Sequence, residues 1–213
     1  RGSLRLKNKL FSGCGLFCYS EFPLTTGRKS SFVDAATVVR VFHGLSKTVE
    51  GMALAAYLAE MAAALAPEPP ESADFLRLML NTFYMIGEQK RPLLQLKAIC
   101  ELRAMTQTGY MPDVVACDGC GRYDGCDFYL DPAEGRLLCA DCAAKAMRAP
   151  NLDPGALYAL RHICLAEDDK LFNFTLSEPS LKRLGRASEQ YLLAHLEYCP
   201  KTLEFLKSVL NQD

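Results

Sequence analysis

Four cysteines in the middle of the chain have the spacing of a metal clamp. Cys117-x2-Cys120 is followed, after eighteen intervening residues, by Cys139-x2-Cys142. A C-x2-C turn places two thiols on one side of a tight knuckle. Two facing knuckles offer four sulfurs in tetrahedral array, the donor set of structural Zn²⁺. Four soft ligands leave no position open for substrate, so such a site is structural and not catalytic. The stretch "FYLDPAEGRLLC" between the knuckles reads as strand, turn, strand, as a zinc ribbon requires. The alternatives are four ordinary buried thiols, or disulfides formed on oxidation. A redox C-x-x-C needs a thioredoxin-like βαβ pattern beside it, and none is present. Cys126 is a fifth thiol in the loop; it could replace a ligand, but its spacing fits neither knuckle. Cys14, Cys18, Cys100, Cys164 and Cys199 sit in apolar patterns and read as small core residues.

Other chemistry is sparse. Of the three histidines, His43, His162 and His195, the last falls on an apolar helical face and reads as a packed, hydrogen-bonded side chain. No Ser/His/Asp or Cys/His constellation and no phosphate-cradling glycine loop occurs, which argues against an enzyme. With 213 residues, half of them hydrophobic and 23% charged, the chain has ordinary globular composition. The first residues are polar and basic, with no secretory signal. The most apolar run, 52–65, is too short to span a bilayer and carries Glu60. Ten cysteines without an export signal fit reduced thiols in a cytosol.

The net charge of −1 hides an asymmetry. Residues 1–47 hold eight basic and two acidic side chains, which leaves 16 basic and 23 acidic in the rest. A basic piece suits a polyanion, and an acidic piece repels one. Arg1, Arg5, Lys7 and Lys9 have no acid among them, and Phe11, Phe17, Tyr19, Phe22 and Phe32 follow. Positive charge tracks phosphates and aromatic faces stack single-stranded bases. The plainer reading is a solvated basic run beside strand aromatics that belong to a core.

The elements that must position these residues divide in the same way. From 15 to 42 the pattern is strand-like, "GLFCYSEF" and "FVDAATVVRVF" joined by "TTGRKS", and predicts a hairpin. Two strands alone are marginal and need a partner to pack on. From Ser46, a candidate N-cap, the period becomes helical and runs to Pro67. A second apolar stripe follows Phe75, Met79, Phe83 and Ile86, and a third runs from Pro92 to a C-cap at Gly109. After the cysteine segment, Asp153-Pro154 starts a fourth helix and Ser177 caps a fifth. Pro200 precedes a short last one. The expected class is α+β, mostly α: a small β part, a helical body and a cysteine insert.

In this order the motifs "RGSLRLKNKLFSG", "SEFPLTTGRKSSFVDAATVVRVF", "LKAICELRAMTQTGYMPDVVACDGC", "YLDPAEGRLLCADC" and "YLLAHLEYCPKTLEFL" resemble the RecO family of bacterial recombination mediators along essentially the whole chain. The cysteine segment alone is generic; "GYMP" before the first knuckle and "HL" in the final long helix make the set specific. The resemblance implies a partial N-terminal OB-fold over 1–45 and a helical domain over 46–213 interrupted by a zinc ribbon over 113–147. It implies binding to single- and double-stranded DNA and annealing of complementary strands. It also implies action with RecR to load RecA onto strands coated by single-stranded-DNA-binding protein (SSB), all without catalysis in the bacterial cytoplasm and nucleoid. Family members carry about three more strands before the first of these motifs, and a five-stranded barrel needs them to close. On this basis Cys117, Cys120, Cys139 and Cys142 hold one structural Zn²⁺. Arg1, Arg5, Lys7, Lys9, Arg28 and Lys29 fall on the basic DNA-contacting segments. For an acidic SSB tail the sequence points to Lys97 and Arg103, with Leu94, Leu102 or Tyr110 for its apolar end. The alternative reading is a zinc-ribbon adaptor that binds protein and not DNA. Arg122 and Arg136 are too few to make the ribbon itself a DNA surface.

Overall fold

The computed structural model describes residues 10–27, 30–68 and 72–210. After a 3-10 turn at Ser12–Cys14 come four short strands: β1 (Cys18–Glu21), β2 (Leu24–Thr26), β3 (Ser31–Val33) and β4 (Thr37–Val41). β1 pairs antiparallel with β4, and β2 with β3. The expected two-stranded hairpin is therefore a two-tier one. Its second run does not continue through 34–36. There Asp34 turns back, with its amide on the Pro23 carbonyl and its carboxylate on the Thr25 hydroxyl. No closed barrel forms among the described residues. The β part docks on the helical body through aromatic edges: Phe17 and Phe42 meet the Phe83 ring at centroid distances of 5.4 and 5.8 Å.

A 3-10 turn, His43–Lys47, leads into α1 (Val49–Leu65). Because 43–47 is itself helical, the cap moves past Ser46. Thr48 accepts from the Gly51 amide at 3.0 Å, while Ser46 Oγ donates back to the His43 carbonyl. Gly44 lies against Gly87, the last residue of α2 (Ser72–Gly87). A Cβ on Gly44 would stand 2.8 Å from the Gly87 backbone, and Lys47 Nζ donates to the Gly87 carbonyl across the same contact. Only glycine permits that approach.

α1 is apolar almost all round and occupies the middle of the body, where Leu54, Tyr57, Leu58 and Met61 are fully buried. Around it lie α2, α3 (Leu93–Gln107) and, near the end of the chain, α7 (Lys201–Leu210). α3 also packs on the long α6 (Glu178–His195) and on α5 (Pro154–Leu165). The caps expected at Asp153 and Ser177 both form: the Asp153 carboxylate accepts from the Ala156 amide at 2.8 Å, and Ser177 Oγ from Ser180. His195 is packed as expected, its Nδ1 paired with the Tyr191 carbonyl and its ring between Tyr110 and Tyr191. Between α3 and α5 is the cysteine insert. It comprises β5 (Asp113–Cys117), β6 (Phe128–Leu130), β7 (Arg136–Cys139) and a six-residue helix, α4 (Ala140–Lys145), absent from the sequence reading. The strand order is β5-β7-β6. No helix among the described residues is long and apolar enough to cross a membrane.

One carboxylate ties the two ends of the helical body together. Glu60 on α1 accepts from the Lys201 and Thr202 amides, each at 3.0 Å, and from the Thr202 hydroxyl at 2.6 Å. It caps α7 from another helix. The Thr202 hydroxyl and amide hold the Glu60 carboxyl below the ordinary carboxylate range. A depressed carboxyl contributes stability above its unfolded pKa, about 4.3, and loses it as pH falls through the folded value. Glu60→Ala should lower stability by about 1 kcal/mol, the worth of a cap. In thermal melts the loss should be full above about pH 5 and shrink in more acidic buffer.

Candidate metal centre and flanking surfaces

The four expected cysteines converge. The sulfurs of Cys117, Cys120, Cys139 and Cys142 all lie within 4.8 Å of one another, and Cys120 and Cys139 are 3.6 Å apart. Cys117 ends β5, Cys139 ends β7, and the parallel pairing of these strands brings the two knuckles side by side. The first knuckle is closed by Gly121 N–H on the Cys117 carbonyl at 2.8 Å. The second is the start of α4: Cys139 is its N-cap residue and Cys142 lies in its first turn. The strand–turn–strand pattern was legible, whereas α4 was hidden because six residues carry too little periodicity.

The thiols are unequal. Burial raises the Cys117 thiol, but amide donors from Cys139, Gly119 and Cys120 outweigh that and bring it down to about 6. Cys142 is pushed up to about 12 by hydrogen bonds with Cys139, Cys117 and Cys120, which keep a proton in the cluster. Four crowded sulfurs, one of them already favouring thiolate, are the arrangement a soft metal ion resolves. Cys126 stands apart, 3.8 Å from the Arg122 guanidinium. All ten cysteines are free thiols; Cys100 and Cys164 are buried core residues as expected, whereas Cys14 and Cys18 are only half-buried and Cys199 is exposed.

The ribbon is anchored by Arg161 of α5, a residue the sequence reading passed over. It is 5% exposed. Its Nε donates to the Val114 carbonyl at 2.8 Å, and Nη2 to the carbonyls of Val115 and Tyr123 at 2.9 and 2.5 Å. Its guanidinium stacks 3.9 Å from the Tyr123 ring centroid. The carbonyls that receive it come from positions with no charge signature, so no local pattern announces the contact. The ribbon's two arginines are engaged: Arg122 with Asp141 at 2.8 Å and Arg136 with Asp118 at 3.2 Å.

The proposed DNA contacts Arg1, Arg5, Lys7, Lys9, Arg28 and Lys29 lie outside the described residues. A cleft of about 640 Å³ does open beside the β part, between β4 and α2, lined by Tyr19, Val39, Arg40, Phe42 and Tyr84 among others. The Arg40 guanidinium lies 5.5 and 5.1 Å from the ring centroids of Phe42 and Tyr84, and has no carboxylate partner among the described residues. Lys90 lies 4.6 Å from the Tyr84 centroid and donates to its hydroxyl at 3.0 Å.

Neither Lys97 nor Arg103 is the free surface cation that the sequence reading expects. Lys97 is 2% exposed, held by Glu101 at 2.7 Å and Glu189 at 2.9 Å. Burial pushes its ammonium down, but the two carboxylates outweigh burial and hold it above the ordinary lysine range. Arg103 bonds Asp168 at 2.7 Å and the Ile163 and Cys164 carbonyls. Leu102 is fully buried, and Tyr110 is half exposed beside His195. Leu94 and Lys97 do line a groove of about 460 Å³ between α3, α6 and α7, together with Lys182, Arg186, Glu189 and Lys207. Leu206 and Leu210 form its apolar end. Gly185 leaves room for Leu94, whose Cδ1 would be 2.6 Å from a Cβ there. The three outer cations were missed because α6 and α7 meet only in the fold.

A mostly helical α+β body carrying an inserted four-thiol ribbon defines the structural class. Residues 47–204 match the family model described as "Recombination protein O C terminal". DNA repair protein RecO of Acetivibrio thermocellus is 30% identical over 209 residues, covering 98% of this chain and 83% of that protein. The RecO proteins of Symbiobacterium thermophilum and Alkaliphilus metalliredigens are 28% and 22% identical, covering 98% and 92% of this chain and 84% and 80% of their own lengths. The chain belongs to the RecO family of DNA repair proteins.

The thiol cluster makes a direct prediction. The metal-loaded protein should contain one metal ion per chain. Cys117→Ser, which removes the donor whose thiol is held down toward thiolate, should release it and lower the melting temperature by roughly 5 °C or more. Elemental analysis and a thermal melt on the same sample check this.

Proposed function

We propose that the chain is a non-enzymatic recombination mediator. On this reading it binds single- and double-stranded DNA through phosphates, anneals complementary single strands and acts with RecR to load RecA onto SSB-coated DNA. The observation that carries the DNA contact is the cleft at Arg40 and Tyr84, with Lys90 at the same ring: two exposed cations over one aromatic ring, in a chain whose first 47 residues hold eight basic and two acidic side chains. Cations neutralise phosphates, and the half-buried rings of Tyr19, Phe42 and Tyr84 in the same cleft are the groups whose faces can stack unpaired bases. Nothing in such a cleft reads sequence, which suits a protein that must act on any strand.

The metal on this reading is Zn²⁺ in a structural role. A tetrahedral site with Zn–S bonds of about 2.3 Å has sulfur–sulfur edges of about 3.8 Å. The 3.6 Å separation of Cys120 and Cys139 and the all-sulfur donor set fit it. When bound, the ion supplies charge compensation for the thiolates and a cross-link for the insert. The residues around it position the knuckles and carry no reaction. Work on DNA places the protein in the bacterial cytoplasm, associated with the nucleoid.

The groove between α3, α6 and α7 supports the SSB-tail part of the reading, with different residues from those first expected. Lys182, Arg186 and Lys207 ring an apolar floor of Leu94, Leu206 and Leu210. An acidic peptide with an apolar end matches it in charge and chemistry. The same groove also supports the second reading, a protein adaptor without DNA affinity.

Fluorescence anisotropy of labelled single-stranded DNA across a salt series separates the two. A mediator shows affinity that falls log-linearly with salt. Arg40→Glu/Lys90→Glu should weaken binding at least tenfold and reduce the salt slope by about 1–2, since each neutralised phosphate of a single strand contributes about 0.7. An adaptor shows no such affinity at any salt, and equal binding by wild type and variant would remove the cleft from the account.

A further inference from the structure

Among the described residues Glu189 is the only acidic one lining the groove, and it sits between two of its cations. One carboxylate oxygen, Oε2, is 2.9 Å from Lys97 Nζ; the other, Oε1, pairs with Lys207 Nζ. The two pairs differ in what they do. Lys97 is buried and already has a partner in Glu101, fully buried, at 2.7 Å. Glu101 is itself completed by the Tyr57 and Ser188 hydroxyls, each at 2.6 Å. The buried charges therefore balance without Glu189. Lys207 is on the rim, its side chain 48% exposed, and Glu189 is its one carboxylate partner among the described residues. Of the remaining cations, Lys182 pairs with Glu178 at the solvent edge, and Arg186 has no ion-pair partner among the described residues.

We propose that Glu189 is a built-in competitor: its carboxylate occupies Lys207 in the empty groove, and an acidic segment binds by displacing it from Lys207 while Glu189 keeps Lys97. This rests on the groove being a seat for an acidic segment with an apolar end. A half-exposed ion pair is weak and exchanges readily with another carboxylate. The displaced Glu189 keeps its 2.9 Å contact with Lys97, which it shares with Glu101, and its side chain at 17% exposure still reaches water, so the swap does not leave it without a partner. The consequence is selectivity. A ligand with a single acid only replaces one carboxylate by another at Lys207. A ligand with several acids also engages Arg186, which has no ion-pair partner among the described residues, and Lys182, held only by a solvent-exposed pair with Glu178. Glu189 thus discriminates against weakly acidic apolar segments, a repulsive element of the kind specificity requires.

The test uses a fluorescein-labelled peptide of three aspartates followed by leucine and a C-terminal phenylalanine. Its affinity is measured for the full chain and for Glu189→Gln, whose amide oxygen still accepts from Lys97. Glu189→Gln should bind roughly threefold to fivefold more tightly, the strength of a half-exposed ion pair. Lys207→Met should bind more weakly. In the Lys207→Met background, Glu189→Gln should bring no gain, because the competitor has nothing left to compete for. A gain that persists without Lys207 would mean a general field effect and would overturn displacement. No gain in Glu189→Gln, with binding still abolished by Arg186→Glu, would overturn the competitor and leave the groove standing. Failure of the wild-type chain to bind, or indifference to Arg186→Glu, would overturn the groove reading itself. Should Glu189→Gln melt far below wild type, Glu189→Asp, too short to span both lysines, is measured in its place with the same expectations.

Discussion

The helical body is organised around one carboxylate with no access to water. Glu101 of α3 is fully buried. An ionised group in that position is tolerable only if it is paired and its remaining lone pairs are satisfied. Its partners come from three helices: Tyr57 from α1, Lys97 from α3 and Ser188 from α6. Sliding α1 or α6 by a turn would leave Lys97 in place but take the Tyr57 or Ser188 hydroxyl from the buried carboxylate, an unmade hydrogen bond costing about 1–3 kcal/mol. Hydrophobic contacts are tolerant of such slips; this network is not. The burial of Tyr57 beside Glu101 also pushes the Tyr57 hydroxyl far above its ordinary pKa, so it remains a donor at any physiological pH.

The other features of the molecule are set by that register. The groove exists where α6 crosses α3 at Gly185 and Leu94, one turn from Ser188 and Glu189. The ribbon leaves the body at the end of α3 and returns at the start of α5, so its two attachment points are fixed by the same helices. Strands of five, three and four residues cannot build an adequate core of their own. The four thiols close the ribbon from within, and Arg161, Tyr191 and Asn151 tie it to the body from without. Tyr191 donates to the Tyr110 carbonyl at 2.9 Å, and Asn151 exchanges two hydrogen bonds with Leu130.

Local signals carried far in this sequence. The C-x2-C pairs found their four partners because each knuckle is a local turn and only one long-range closure remained. The caps at Asp153 and Ser177 were legible for the same reason, since each depends on residues within four positions, and His195 because its apolar helical face and its Tyr191 partner are local even though Tyr110 is not. The failures are long-range. Lys97 reads as a solvated helix cation until Glu189, 92 residues away, is placed beside it. Arg103 reads likewise until Asp168 arrives. The split of the second strand at Asp34 depends on Thr25 and Pro23 across the hairpin. The outer cations of the groove, Arg186 and Lys207, belong to helices whose meeting no periodicity foretells.

A body held in register by Glu101, a ribbon closed by four thiols and a cationic aromatic cleft beside the β part are the features on which the proposed mediator role rests. On that proposal the chain acts on DNA by holding strands. The most direct test is annealing of two complementary fluorescent oligonucleotides, donor on one and acceptor on the other, mixed with metal-loaded protein in the absence of any nucleotide triphosphate. The account predicts annealing faster than the spontaneous rate, rising with protein and suppressed by salt. Annealing at the spontaneous rate under low salt, with protein in excess, would contradict it.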